Sequence, residues 1–181
     1  MRDEVSTQQG EEQHRTPPPG FDMRFTEFTD APYLHEWLAD PSVAQWFPMD
    51  DPVELEDAVN RWVGFARYRS SLTAIAPDGT PCGMATLYLQ PYRKLAHQCE
   101  FGIIVAPKYR NLGIGSDLMR NIIHLAKEFY KIELLHLQVY SNNPAIRLYE
   151  RFGFETFGYQ AEWIKERDGT YTGRTFMQKR I

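Results

Sequence analysis

Several features that define particular protein classes are missing from this sequence. It contains two cysteines, Cys82 and Cys99, which are too few for a disulfide framework and show no metal-site spacing. No apolar run approaches the roughly 20 residues that cross a bilayer, and the first residues lack the apolar stretch of a secretory signal. We therefore expect a cytoplasmic protein with reduced, buried thiols, no metal and no membrane partner.

Positive charge is not in excess either. The chain carries 20 lysine and arginine residues against 24 aspartate and glutamate residues, a formal net charge of −4 at pH 7. Because nucleic-acid binding favours a basic face, we expect no nucleic-acid partner. What the chain does have is a globular composition, with 43% hydrophobic residues, and a length of 181 residues that suits one domain.

The hydrophobic pattern divides the chain into a tail and a domain. Residues 1–20 are polar and end in a Pro-Pro-Pro-Gly run, which predicts a flexible tail, and the domain spans residues 21–181. The predicted elements are, in order, a strand at Phe21–Phe28, a helix capped by Asp30, a helix at Val53–Arg69, strands at Ser71–Ala76, Cys82–Gln90 and His97–Val105, a helix at Ser116–Tyr130, a strand at Glu133–Tyr140, a helix from Pro144, and strands at Phe154–Trp163 and Tyr171–Lys179. This order predicts a single mixed α/β (α+β) domain that ends in a β-hairpin.

The most informative segment runs from Val105 to Ser116 and joins a predicted strand to a predicted helix. Helix N-termini present unpaired N–H groups and partial positive charge, and Gly113 and Gly115 let the backbone approach a ligand closely. With Arg110 at its rim, the segment predicts a phosphate-binding cradle. A tight strand-to-helix turn explains the two glycines equally well on this segment alone.

Two common nucleotide-binding motifs do not match this segment. A Walker A loop requires a lysine before its serine or threonine, whereas Gly115 directly precedes Ser116 here. A Rossmann fingerprint requires a third glycine where Leu118 stands. Both of these nucleotide-binding classes are therefore excluded.

A second strand-to-helix segment occupies residues 137–154. Asn143 precedes Pro144, the order expected of a helix N-cap and a first-turn proline. One face of the helix is apolar and holds Ala145, Leu148, Tyr149 and Phe152.

Together the two segments resemble the GNAT acetyltransferase superfamily. Its pyrophosphate-binding motif A is matched by Val105-x-Pro107-x-x-Arg110-x-x-Gly113-x-Gly115, and its motif B by Asn142-x-x-x-Ile146-x-Leu148-Tyr149-x-x-x-Gly153-Phe154. The order of strands and helices from Phe21 onward also fits, and the resemblance implies a central, twisted, mostly antiparallel sheet flanked by helices. Within the superfamily, the two ends of the domain are similar to ribosomal-protein and spermidine N-acetyltransferases.

The resemblance implies that acetyl-CoA is the acyl donor. The residues that match donor-binding positions are Ile103, Ile104, Val105, Arg110, Asn111, Leu112, Gly113, Ile114, Gly115 and Ser116. Tyr140 and Ser141 alone separate Val139 from the next asparagine, one residue fewer than is common in the family. The asparagine contact to the donor therefore falls on either Asn142 or Asn143.

Acetyl transfer to an amine requires proton transfers. An alkylamine titrates near the lysine value of about 10.4, so it needs a base at neutral pH. Glu100 is the base candidate, because it lies on the strand beside which acetyl groups sit in family members, and a cross-strand salt bridge is the alternative. Tyr149 matches the general acid that acts on the coenzyme A thiolate, and the alternative is a core tyrosine.

The acceptor side is less defined than the donor side. Position along the chain suggests Trp46, Phe47 and Tyr171 as acceptor-binding residues, and the expected acceptor is a primary amine: a peptide N-terminus, a lysine, a polyamine or a small amine. The motifs recognise the coenzyme and not the acyl group, so an acyltransferase that uses succinyl-CoA or a non-catalytic acyl-CoA sensor is an alternative. The resemblance is compatible with a homodimer.

Overall fold

A seven-stranded sheet with the strand order β1-β2-β3-β4-β5-β7-β6 forms the centre of the fold. The computed structural model describes residues 16–181, and residues 1–15 of the predicted tail lie outside the described residues. The strands are β1 (Asp22–Phe25), β2 (Ser71–Ile75), β3 (Pro81–Tyr88), β4 (Gln98–Val105), β5 (Leu134–Tyr140), β6 (Glu155–Lys165) and β7 (Tyr171–Arg180). Strands β4 and β5 are parallel and the other neighbours are antiparallel. The predicted mixed α/β domain with a mostly antiparallel sheet and a C-terminal hairpin is confirmed.

Helices cover both faces of this sheet. They are α1 (Ala31–Ala39), α2 (Pro41–Ala44), α3 (Pro52–Gly64), α4 (Ile114–His124) and α5 (Ile146–Arg151), and α4 continues into one π-helical turn, Leu125–Phe129. Asp51 caps helix α3, because its carboxylate accepts hydrogen bonds from the N–H groups of Val53 and Glu54 at 2.8 and 2.9 Å. Within residues 16–181, no helix combines the length and the apolar character that a membrane span requires.

Two hydrophobic clusters lie on opposite faces of the sheet. The cluster under α4 includes the fully buried residues Leu118, Met119, Ile122, Leu135 and Met177. The cluster under α1 and α3 includes Leu34, Leu38, Trp62, Met84 and Ile104. Because successive residues of a strand point to opposite faces, Phe101 faces the first cluster, whereas Glu100, Gly102 and Ile104 face the second.

Both cysteines are buried in the cluster under α4 and neither forms a disulfide. Burial raises the pKa of the Cys82 thiol to about 11 and that of the Cys99 thiol to about 12. The expectation of reduced, buried thiols is confirmed, and both stay protonated at neutral pH.

Asp30 does not have the capping role that its position predicted. Its side chain makes no capping hydrogen bond to α1 and is only 1% exposed. The carboxylate instead accepts hydrogen bonds from Arg24 at 2.7 and 2.8 Å, from the Thr73 hydroxyl at 2.9 Å and from the Glu27 N–H at 3.0 Å. Asp30 therefore joins β1 and β2 to the start of α1.

The substitution Asp30→Asn is expected to lower the free energy of unfolding by about 2 kcal/mol at neutral pH, because it removes hydrogen bonds to a charged group. Burial acts to raise the pKa of Asp30, but the hydrogen bonds from Arg24, Glu27 and Thr73 outweigh it and the pKa is lowered. A lowered pKa stabilises the fold above the unfolded value of about 3.9, and this contribution is lost as the pH falls through the folded pKa. Urea unfolding across this pH range measures both effects.

The exposed Asp57 on α3 provides the matched control. Asp57→Asn should unfold with the wild-type midpoint at each pH. The role given to Asp30 is wrong if Asp30→Asn unfolds like wild type at neutral pH, or if its difference from wild type persists undiminished in acid.

Candidate active site

The sheet opens into a wedge between β4 and β5. These strands pair over three residues, with Gln98, Cys99 and Glu100 opposite Leu134, Leu135 and His136. Beyond Glu100, β4 remains paired with β3 as far as Val105, and β5 remains paired with β7 as far as Tyr140. The facing edges of β4 and β5 thus leave the ladder, and their backbone groups are left for solvent or a ligand.

A cavity of about 410 Å³ occupies this wedge. Phe101–Val105 of β4 and Leu137–Val139 of β5 form its sides. Its remaining walls come from both faces of the sheet. The helices before β2 contribute Val43, Trp46, Phe47 and Trp62. The two strand-to-helix segments contribute Tyr109, Arg110, Asn111, Gly113, Gly115, Ser116, Asn143, Pro144, Ala145, Leu148, Tyr149 and Arg151. The cavity therefore connects the two faces through the sheet.

The N-terminus of α4 forms one end of the cavity. Gly113 is the N-cap with φ of +87°, a left-handed conformation that favours glycine, and this turn starts the helix two residues before the predicted Ser116. A Cβ on Gly115 would lie 3.6 Å from Leu148 and 3.7 Å from Val105, so packing alone does not require glycine there. First-turn N–H groups have no intrahelical partner, and the arrangement fits a phosphate group close to the backbone.

Most of the predicted donor-binding residues line the cavity. These are Ile103, Ile104, Val105, Arg110, Asn111, Gly113, Gly115 and Ser116. The side chain of Ile114 is instead 1% exposed within the core, and Leu112 is 37% exposed outside the cavity. Of the two asparagines, Asn143 lines the cavity and accepts a hydrogen bond from the Ala145 N–H at 2.8 Å, whereas Asn142 lies outside it. Their contacts with a donor stay predictions.

Tyr149 lies in the cavity wall under apolar neighbours. It is 8% exposed, and its ring packs edge-on against Phe101 and Phe154 with centroids 6.1 and 6.2 Å apart. Burial raises the pKa of its hydroxyl, which therefore stays protonated. The hydroxyl has no hydrogen-bond partner anywhere in residues 16–181, so it is available to a molecule in the cavity.

Glu100 stands at the point where the wedge begins. It is half-buried, opposite Tyr88 on β3 and His136 on β5, and it is not part of the cavity wall, although Gly102 on the same strand face is. Burial raises the pKa of its carboxyl group, and the charges of Arg61 and Arg174 oppose that rise. No ion pair of Glu100 is present in the described part of the chain, so the cross-strand salt bridge is not found.

Comparison with known proteins assigns this architecture to a family. A model of the Acetyltransferase (GNAT) family matches residues 29–154, which include the wedge strand β4, the start of α4 and Tyr149. The chain belongs to the GNAT acetyltransferase family. The resemblance stated from motifs A and B is confirmed.

Individual relatives share parts of this GNAT chain. The L-amino acid N-acetyltransferase AaaT of Escherichia coli is 31% identical over 103 residues, which are 56% of this chain and 63% of that protein. The spermine/spermidine N(1)-acetyltransferase of Bacillus subtilis is 38% identical over 52 residues, 28% of this chain and 34% of that protein. The chain thus spans less than two thirds of the length of either relative.

A solved structure shares the fold over nearly its whole length. It is yncA of Salmonella typhimurium, determined with its cofactor acetyl-CoA, which superposes with a TM-score of 0.72 at 19% identity and covers 88% of this chain and 93% of that chain. At this level of identity the likeness concerns the fold.

Two of the three residues that position along the chain suggested for acceptor binding line the cavity of this GNAT chain. Trp46 and Phe47 line the cavity, whereas Tyr171 is 52% exposed at the start of β7 and lies outside it. The Phe47 ring packs edge-on against Trp62, which packs in the same way against Tyr88. Residues 16–181 contain no group of three or more metal-ligating side chains.

Gln138 and Arg174 meet at the cavity, and the sequence predicted neither of them. Gln138 on β5 lines the cavity, and Arg174 on β7 donates a hydrogen bond from Nη1 to the Gln138 Oε1. The alternation of residues in β5 was a usable signal, because Leu135, Leu137 and Val139 face the core and therefore place Gln138 on the opposite face. No local signal indicates that a residue 36 positions later contacts it.

Proposed function

We propose that this chain is an acetyl-CoA-dependent N-acetyltransferase that moves an acetyl group to a primary amine by direct attack. The observation that carries the proposal is the wedge between β4 and β5, which forms a cavity through the sheet with the N-terminus of α4 at one end. The named activities of the relatives, on L-amino acids and on spermine or spermidine, support a primary amine as the acceptor.

The residues of the cavity fit the donor in two parts. The N–H groups of Gly113, Gly115 and Ser116 bind the pyrophosphate, with Arg110 adding a charged contact at the rim. The unpaired backbone groups of Ile103–Val105 bind the pantetheine arm. Acetyl-CoA, when bound, supplies a thioester whose carbonyl carbon accepts the amine.

Two side chains of the chain transfer the protons. The Glu100 carboxylate removes the proton of the acceptor ammonium, directly or through one water, and its raised pKa brings it closer to the pKa of the amine. The Tyr149 hydroxyl donates a hydrogen bond and then its proton to the departing sulfur, and the second proton that the nitrogen loses as the amide forms returns the tyrosine to its neutral state. Because the apolar surroundings disfavour a negative charge, this exchange leaves neither a thiolate nor a tyrosinate in the cavity.

The test incubates the purified full chain with acetyl-CoA and a panel of primary amines, including spermidine, lysine peptides, peptides with free N-termini and amino acids, and detects products by mass spectrometry. We expect an acetylated amine from the wild-type chain. Glu100→Gln should lower kcat/KM about 100-fold. In wild type, kcat/KM should fall as the pH drops through the raised pKa of Glu100, and this pH dependence should be absent from the variant.

Glu128→Gln, in the exposed π-helical turn, is the control and should keep the wild-type pH profile. Binding of acetyl-CoA without acetylation of any amine would overturn the proposal and leave an acyltransferase with another donor, such as succinyl-CoA, or the acyl-CoA sensor. An unchanged pH profile in Glu100→Gln would remove Glu100 as the base.

A further inference from the structure

The face of the sheet around Glu100 carries more positive than negative charge. Arg61 on α3 and Arg174 on β7 both act electrostatically on the Glu100 carboxylate. Neither arginine forms an ion pair within residues 16–181. His136, beside Glu100 on β5, stays neutral because burial lowers its pKa. One carboxylate therefore lies near two guanidinium groups that no contacting acid neutralises.

Several neutral contacts hold Arg174 beside the cavity. Its Nη1 donates to Gln138, which lines the cavity, and its Nη2 donates to the Gln160 Oε1 at 3.1 Å. The guanidinium lies 4.3 Å from the ring centroids of both Trp163 and Phe176. Its buried Nε has no acceptor in the described part of the chain. The group is thus oriented by neutral partners, while its charge is left without a contacting anion.

We infer that the acceptor carries a carboxylate beside its amine, as an α-amino acid does, and that Arg174 binds this carboxylate. The inference rests on the proposed function, because it specifies the acceptor of the same site. The acceptor amine lies at Glu100 and its carboxylate at Arg174, and the planar guanidinium matches carboxylate geometry. A polyamine brings positive charge alone, which two nearby guanidinium groups repel.

The spacing of the two groups suits one small acceptor. Gln138 lies two residues along β5 from His136, the partner of Glu100, which is about 7 Å. The charges of Glu100 and Arg174 act on each other, and Arg174, which is not itself part of the cavity wall, contacts that wall through Gln138. The adjoining walls, formed by Trp46, Phe47 and Trp62, are aromatic and suit an apolar side chain. Glu166, an acid that acts on Tyr140, is exposed and accepts a hydrogen bond from Thr172 at 3.1 Å.

The test uses two series of acceptors that differ at the carboxyl group. One consists of L-phenylalanine, L-phenylalaninamide and phenethylamine, and the other of L-alanine, L-alaninamide and ethylamine. With the full chain and saturating acetyl-CoA, we expect KM for the amino acid to be about 10-fold or more below that of both analogues in at least one series. KM is compared because the amines differ in basicity and hence in kcat.

The variant Arg174→Gln should raise KM for the amino acid about 10-fold or more and leave KM for the matching amine unchanged. Arg180→Gln, at the exposed end of the same strand, is the control and should behave as wild type. Circular dichroism shows whether the variants are folded, and Arg174→Lys should recover part of the affinity because the charge is kept.

Three outcomes would overturn the inference. The first is acetylation of the amines and amides with KM values equal to those of the amino acids. The second is an Arg174→Gln variant whose KM rises by the same factor for all three acceptors of a series. The third is acetylation of other amines of the panel while neither L-phenylalanine nor L-alanine is acetylated, which would remove the inference but not the proposed function. Failure to acetylate any amine would remove both.

Discussion

Replacing Tyr149 by phenylalanine is expected to lower kcat by about 100-fold while acetyl-CoA binding and thermal stability stay near wild type. The hydroxyl has no hydrogen-bond partner within residues 16–181, so its removal leaves no protein group unsatisfied. The aromatic contacts with Phe101 and Phe154 are kept by the phenyl ring. A positioned general acid contributes about 100-fold or more to rate, and it acts on the departing sulfur rather than on donor affinity.

Steady-state kinetics, calorimetric titration with coenzyme A and thermal unfolding together test this expectation. Tyr68→Phe, which removes a hydroxyl from an exposed ring, is the control and should keep the wild-type kcat. A normal kcat in Tyr149→Phe would exclude the tyrosine as the acid. Loss of coenzyme A binding in the same variant would instead assign the hydroxyl a binding role.

Replacing Gly115 by alanine is expected to separate stability from function. The backbone there is helical, and a Cβ would make ordinary contacts with Leu148 and Val105, so the variant should fold and melt at or above the wild-type temperature. The added methyl group, however, lies in the cavity wall at the start of α4, where the N–H groups must approach a phosphate closely. Affinity for coenzyme A should fall about 10-fold or more.

Gly64→Ala supplies the matched control for this prediction. Gly64 ends α3, and a Cβ there would meet no atom within 4 Å, so it tests the helix-propensity gain without touching the cavity. The same substitution at Gly113 is a poorer probe, because its φ of +87° strains any side chain. Unchanged coenzyme A affinity in Gly115→Ala would mean that the phosphates do not lie against this turn.

The parts of the fold that could be predicted from the sequence are those encoded locally. The hydrophobic periods of the strands and the glycine turn before α4 are each visible within a few residues. The helix predicted from Asn143 and Pro144 is less exact, because it begins at Ile146 with Ala145 as its N-cap. The motifs also predicted the part of the cavity wall that β4 and the start of α4 form. They could not show which side chains face the cavity, and so they included Ile114 and Leu112, of which the structure places one in the core and the other at the surface.

The parts that could not be predicted depend on contacts between distant segments. The sequences of β4 and β5 do not show that the two strands separate after Glu100, because both strands remain fully paired on their other edges. The residues next to Asp30 predict a helix cap, but Arg24 and Thr73 bind its carboxylate once β1 and β2 pair. The contact between Arg174 and Gln138 likewise arises from the antiparallel pairing of β5 with β7.

The state of Cys82 and Cys99 has a practical consequence for measuring turnover. Their thiols are fully buried, with pKa values raised to about 11 and about 12, so thiolate is scarce and reagents have no access to the sulfur. An aromatic disulfide reagent added to the native protein should therefore give almost no background colour. Coenzyme A released during the reaction has an accessible thiol, so a continuous colorimetric reading would report the reaction alone and the native chain needs no cysteine substitution for the assay.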